Sequence, residues 1–233
     1  MTINIGMLMP TAPLSSTFRI SVVALFGGLS ALLTVLPLDF PFPLVPYLRF
    51  DLAEIPVFVV FMLYGPLAGL LTSITYLGVL LPITMGEWLW PVGPFLKFLA
   101  VASQVVGMYL GFRAYRLVRR GGYASFFIQL TLLGMTLRIV AMTLGNYAVL
   151  TMTSQVEYVA SLMRVITGWS LSSGTEVLVV VLALTAVFNA LHTPLSMMPA
   201  ALLVKKISSE GSMISYRGAW MVRAIGGDGS KNL

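Results

Sequence analysis

Between Ile55 and Gly86 the chain runs for 32 residues without a single charge. Wound into one helix, that stretch would be about 48 Å long, well beyond the roughly 30 Å of bilayer hydrocarbon. It is too apolar for a surface in water and too long for one upright span. Gly65-Pro66 divides it, because proline lacks an amide donor and clashes with the preceding turn. The stretch therefore reads as two short helices, 50–64 and 67–82.

Four more apolar runs are long enough to cross a membrane: Ile20 to Leu38, then 92–112, 126–151 and 177–204. Residues of the set AVILMFWYC make up 58% of the 233 residues and charged residues 9%, against about 25% charged in an ordinary soluble domain. A soluble fold of this size could not hide so much apolar surface. The expected fold class is an all-α membrane protein with six transmembrane helices. Residues 1–207 form one domain, followed by a polar cytoplasmic tail at 208–233. No basic residue precedes Arg19, so the first run lacks the start of a signal peptide and reads as a retained span. Pro37, Pro41, Pro43 and Pro46 mark an extended loop. A second loop carries Glu87, Trp88 and Trp90, and a third, polar loop carries Glu157, Arg164 and Glu176.

Charge position sets the orientation. With six spans, Arg19, the Arg113–Arg120 cluster, Lys205, Lys206, Arg217, Arg223 and Lys231 share one side. That is ten of the fourteen basic residues. The positive-inside rule makes this side, with both termini, cytoplasmic. The net charge of +6 thus reports topology in a cell membrane, with lipid as the solvent, and not a nucleic-acid partner.

Several chemistries drop out. Cysteine is absent and there is one histidine, so thiolate and H-E-x-x-H metal sites are excluded. No G-x-x-x-x-G-K-[ST] occurs, so the chain should not hydrolyse ATP. Neither a catalytic set nor a cofactor or metal is expected. Polar groups deep in the membrane are more informative, because hydrocarbon offers them no partner. Asn146 lies eleven residues before Glu157, and Asn189 thirteen after Glu176, about 16 and 20 Å along their helices. The two amides thus lie at similar depth, with Tyr147 beside the first and His192 one turn from the second. They line an outward cavity or bond helices together; the residues alone leave both open. Arg138 is either paired inside the bundle or turned to the cytoplasmic side, and Lys97 snorkels to the outer interface. In the first helix, Ala24 with Gly28 and Gly27 with Ala31 form small-xxx-small pairs that admit a close helix neighbour.

The stretches Asp51-Leu52-Ala53-Glu54-Ile55-Pro56 and Gly65-Pro66-Leu67-Ala68-Gly69 resemble the D-x-x-x-I-P and G-P-x-x-G signature of S-components. These are the substrate-capture subunits of energy-coupling factor (ECF) vitamin transporters. The segment from Arg138 to Leu150, and Phe188-Asn189-Ala190-Leu191-His192, resemble the fifth and sixth helices of the riboflavin branch. That resemblance implies a flavin held by Asn146 and Asn189, with His192 where the branch commonly has lysine. It also implies a transmembrane coupling subunit docked on Ala24, Gly27, Gly28 and Ala31, and two ATPase subunits. The 37–49 loop would close over the ligand. The alternatives are another vitamin or a modified base, an intramembrane enzyme, or a structural membrane subunit.

Overall fold

Gly65 is where the long apolar run turns. In the computed structural model its φ is +98°, a backbone conformation open to glycine, and Pro66 starts the next helix. Residues 16–87, 90–118, 123–153, 155–169, 173–209 and 220–221 are described. They form seven helices and one hairpin: α1 (Ser16–Val35), β1 (Phe40–Phe42), β2 (Val45–Phe50), α2 (Ile55–Tyr64), α3 (Pro66–Ile83), α4 (Val92–Val118), α5 (Tyr123–Met152), α6 (Val156–Thr167) and α7 (Gly174–Ser209). Five of these helices are long and apolar enough to span a membrane: α1, α3, α4, α5 and α7.

The sixth apolar helix, α2, has only ten residues, and all ten are buried. A helix surrounded on every side has no reason to carry a polar face, which explains its unbroken apolar sequence. It starts five residues later than expected, because β2 continues to Phe50. The Asp51 carboxylate then accepts a hydrogen bond from the Ala53 amide at 3.0 Å. This Asx turn redirects the chain, and Pro56 enters the first helical turn.

Two expected loops contain regular structure. The proline-rich segment is an antiparallel hairpin pairing Phe40 with Phe50 and Pro41 with Arg49. A two-stranded ribbon consists of edges, which is where proline is tolerated. The supposed polar loop before α7 contains α6, which buries Val159 and Met163 while leaving Glu157 and Arg164 exposed. Gly168, at φ +73°, ends it.

The core is built around α2, with α1, α3, α4 and α7 packed near it. The closest helix contact is between α4 and α5. A Cβ on Gly107 would lie 2.5 Å from the Leu133 carbonyl oxygen, and one on Gly111 would lie 2.8 Å from that of Gln129. Of the segment expected as a polar cytoplasmic tail at 208–233, Trp220 and Met221 are buried in the same core, while 210–219 and 222–233 lie outside the described residues. The Trp220 ring centroid lies 4.7 Å from that of Phe112 and 5.4 Å from that of Phe61.

Candidate binding site

A cavity of about 540 Å³ opens at the end of the bundle that carries the hairpin and α6. That volume lies within the usual range for small-molecule sites. Thr34 near the end of α1, Lys97 in α4, Asn146 in α5 and Asn189 in α7 all reach it. Arg113, Arg116, Lys205 and Lys206 belong to the opposite ends of α4 and α7.

The hairpin and α6 roof the cavity. Tyr47 and Val159 both line it and pack in one cluster with Leu150 and Val181. Phe50 fixes the hairpin to α7, with its ring centroid 4.6 Å from that of Phe188.

Arg138 organises the deep side. Its Nη1 and Nη2 donate to Glu54 Oε2 at 2.5 Å and to Oε1 at 2.8 Å. Its Nη1 also donates to Gln104 Oε1 at 2.7 Å, and its Nε donates to Asn189 Oδ1 at 2.8 Å. Nη2 donates to His192 Nδ1 at 3.1 Å. A guanidinium has five N–H donors, and these five contacts use all of them. Both members of the ion pair are about 2% exposed or less. Unpaired, either charge would be prohibitively costly in the membrane; paired and saturated, they are tolerated.

The same network fixes the histidine. Arg138 can only donate, so His192 Nδ1 accepts, and Nε2–H donates to the Asp51 carbonyl at 3.1 Å. His192 is therefore a neutral imidazole with both nitrogens occupied by the protein. It touches the cavity with its ring and has no hydrogen bond to offer a ligand.

The two asparagines differ. Asn189 gives its oxygen to Arg138, and its Nδ2 donates to the Thr185 carbonyl at 2.8 Å. Asn146 Nδ2 donates to the Met142 carbonyl at 2.8 Å, and its oxygen has no partner among the described residues. Tyr147 is half exposed and is not among the residues lining the cavity, which places it on the outside of α5.

Two further features escaped the sequence reading. Tyr47 Oη is buried without a hydrogen-bond partner among the described residues, and burial pushes its phenol up to about 12. Tyr47 itself lines the cavity, and its hydroxyl is a protonated, enclosed donor. Lys97 does not snorkel outward: it pairs with Asp51 and reaches Thr34 Oγ1 at 3.4 Å. Thr34 Oγ1 in turn shares a hydrogen bond of 2.7 Å with Tyr76 Oη. Asp51 and Glu54, which fall at the start of the expected 50–64 helix, are both buried.

The small residues of α1 point two ways. A Cβ on Gly27 would lie 2.7 Å from Thr75 of α3, and Ala31 is fully buried. That face packs within the fold. Ala24 is exposed, and a Cβ on Gly28 would meet nothing within 4 Å. Only this second pair remains open to a partner.

No family model matches the chain. Over 91 residues it is 31% identical to riboflavin transporter RibU of Staphylococcus aureus (strain TCH60), a match covering 39% of this chain and 46% of that protein. The aligned region is thus under half the length of that curated relative. In three dimensions the chain resembles a solved S component of a bacterial ECF transporter, with a TM-score of 0.63 and 20% identity. That likeness covers 83% of this chain and 97% of the other. The chain has the S-component fold, as the expected all-α membrane bundle with its signature motifs implied.

Proposed function

We propose that this multi-pass membrane protein captures riboflavin outside the cell, as the substrate-binding subunit of an ECF-type transporter. The observation that carries the reading is an apolar-walled cavity with a few unspent polar atoms. Asn146 keeps an acceptor and an amide hydrogen, and Tyr47 keeps a hydroxyl. The pyrimidine edge of a flavin presents alternating donors and acceptors, which an amide can match. Aromatic and aliphatic walls suit the rest of the ring. The similarity to a riboflavin transporter supports the choice of vitamin.

Saturated polar groups have a different role. Arg138 holds Asn189 and His192 in place, and through them the end of β2, since His192 bonds Asp51. A ligand then meets a cavity wall whose geometry is set before binding, which lowers the ordering cost. Ligand contacts with Tyr47 favour the closed position of the hairpin, by population shift.

The cavity faces outward and both termini are cytoplasmic, because the basic residues gather at the other end of the bundle. Labelling Leu117→Cys from outside intact cells would contradict this orientation. The protein performs no chemistry of its own. A transmembrane coupling subunit docks where Ala24 and Gly28 leave α1 open, and partner ATPases supply the energy. Mass spectrometry of protein purified from cells grown with riboflavin tests the proposal. Co-purified riboflavin supports it; another retained vitamin refutes the substrate, and no retained or added vitamin refutes the function.

A further inference from the structure

Val165 is 84% exposed, although it belongs to α6, a helix of twelve residues between two spans. At about 100° of turn per residue, α6 has three sides. Val159 and Met163 form the buried side and pack with Leu150 of α5 and Val181 of α7. Glu157, Ser161 and Arg164 form a polar side and are exposed. The third side is apolar: Tyr158, Val165 and Ile166 are exposed and Leu162 is half-buried. Trp169, two residues past the helix, is exposed as well. A helix between a core and water needs only an apolar and a polar side. The third side therefore calls for a different neighbour.

We infer that this strip docks on membrane lipid, at the boundary of headgroups and acyl chains in the leaflet at the roof end of the bundle. On the orientation proposed above, that is the outer leaflet. The height of α6 agrees. Gly174, where α7 starts, lies 31 residues before Lys205, about 46 Å along the helix. A bilayer with its headgroups is about 40–45 Å thick, so α6, just before α7, sits at headgroup level. The strip also continues a lipid-facing surface. The adjoining ends of spans α5 and α7 expose Met152 and Val179. Tyrosine and tryptophan favour this level, as Tyr158 and Trp169 do here. A helix with one apolar strip and a charged side enters such a boundary by about 5–10 Å. The roof of the cavity is then held by Leu150 and Val181 on one side and by lipid on another.

The chain has no cysteine, so single cysteines report position directly. Val165→Cys, Ile166→Cys and Glu157→Cys in the full-length protein take a bimane label and are reconstituted into phosphatidylcholine vesicles. Nitroxide lipids carry the quencher near the headgroup or at the bilayer centre, and iodide inside and outside the vesicles probes water. The two strip labels should be quenched at least about twofold by the shallow nitroxide, and less by the deep one. The Glu157 label, nine residues and about half a turn from Ile166, should respond to iodide and to neither lipid. The two strip positions test the inference independently, and circular dichroism verifies each fold. Iodide quenching at the strip equal to that at Glu157 would overturn the inference by placing the strip in water. Shielding from both iodide and nitroxide lipids would overturn it by assigning the strip to a second copy or another protein. Stronger quenching by the deep nitroxide would contradict the interfacial level. None of these outcomes depends on which vitamin the cavity holds.

Discussion

Replacing Arg138 by methionine strips Glu54 of its counter-charge. The carboxylate is 1% exposed and would keep only the Ser196 hydroxyl, which donates at 3.3 Å. Breaking a buried pair from one side costs about 3–5 kcal/mol. Glu54→Gln leaves the arginine charge uncompensated instead, at a similar cost of about 3–5 kcal/mol. The double variant removes both charges, and an uncharged pair of similar volume is often neutral or better. If the two effects were independent, the double variant would lose about 6–10 kcal/mol; the buried-pair account predicts about 3 kcal/mol or less. Unfolding in mixed micelles with increasing SDS, followed by circular dichroism, measures all four proteins. Arg138→Met should also lose riboflavin affinity, because Asn189 and His192 lose the group that orients them. Additive losses in the double variant would refute the reasoning, since Arg138 and Glu54 would then act separately.

Other perturbations separate contact from support. Asn146→Ala should weaken riboflavin binding by about 1–3 kcal/mol, roughly 5- to 150-fold in titration, with little change in stability. Asn189→Ala should lower both affinity and SDS resistance, because it also strips an acceptor from Arg138. Tyr47→Phe should cost about 0.5–1.5 kcal/mol of binding. The tyrosine is held protonated in the fold, to about 12 against 10.0, so its stabilising effect is complete below pH 10. It should fade as pH rises from 10 through 12, a loss that Tyr47→Phe reduces. Gly107→Leu should prevent accumulation of folded protein, since its side chain would enter the α5 backbone, whereas Gly28→Leu should fold normally and bind ligand. Size-exclusion profiles distinguish the two.

The apolar skeleton was readable because lipid imposes a simple length rule. The α3, α4, α5 and α7 boundaries lie near the apolar runs, and Gly65-Pro66 marks the α2–α3 turn. What escaped was set by partners distant in sequence. Arg138 lies 84 residues from Glu54 and 34 from Gln104, so neither partner is visible along one helix. Asp51 and Glu54 are likewise paired far along the chain, with Lys97 and Arg138. The α6 helix was overlooked despite a visible cue. Val156, Val159 and Met163 recur at helical spacing, but the neighbouring charges Glu157 and Arg164 make the segment resemble a polar loop. Gly107 and Gly111 carry the same small-xxx-small spacing noticed on α1. Tyr147 shows the converse limit: adjacency to Asn146 puts it about 100° around the helix, away from the cavity.

Titrating purified protein with riboflavin, and following the quenching of flavin fluorescence, tests the account most directly. Saturable one-to-one binding to the wild type, weakened in Asn146→Ala with the fold intact, is the predicted result. Absence of binding by a correctly folded wild type, or equal affinity in the Asn146→Ala variant, would contradict it.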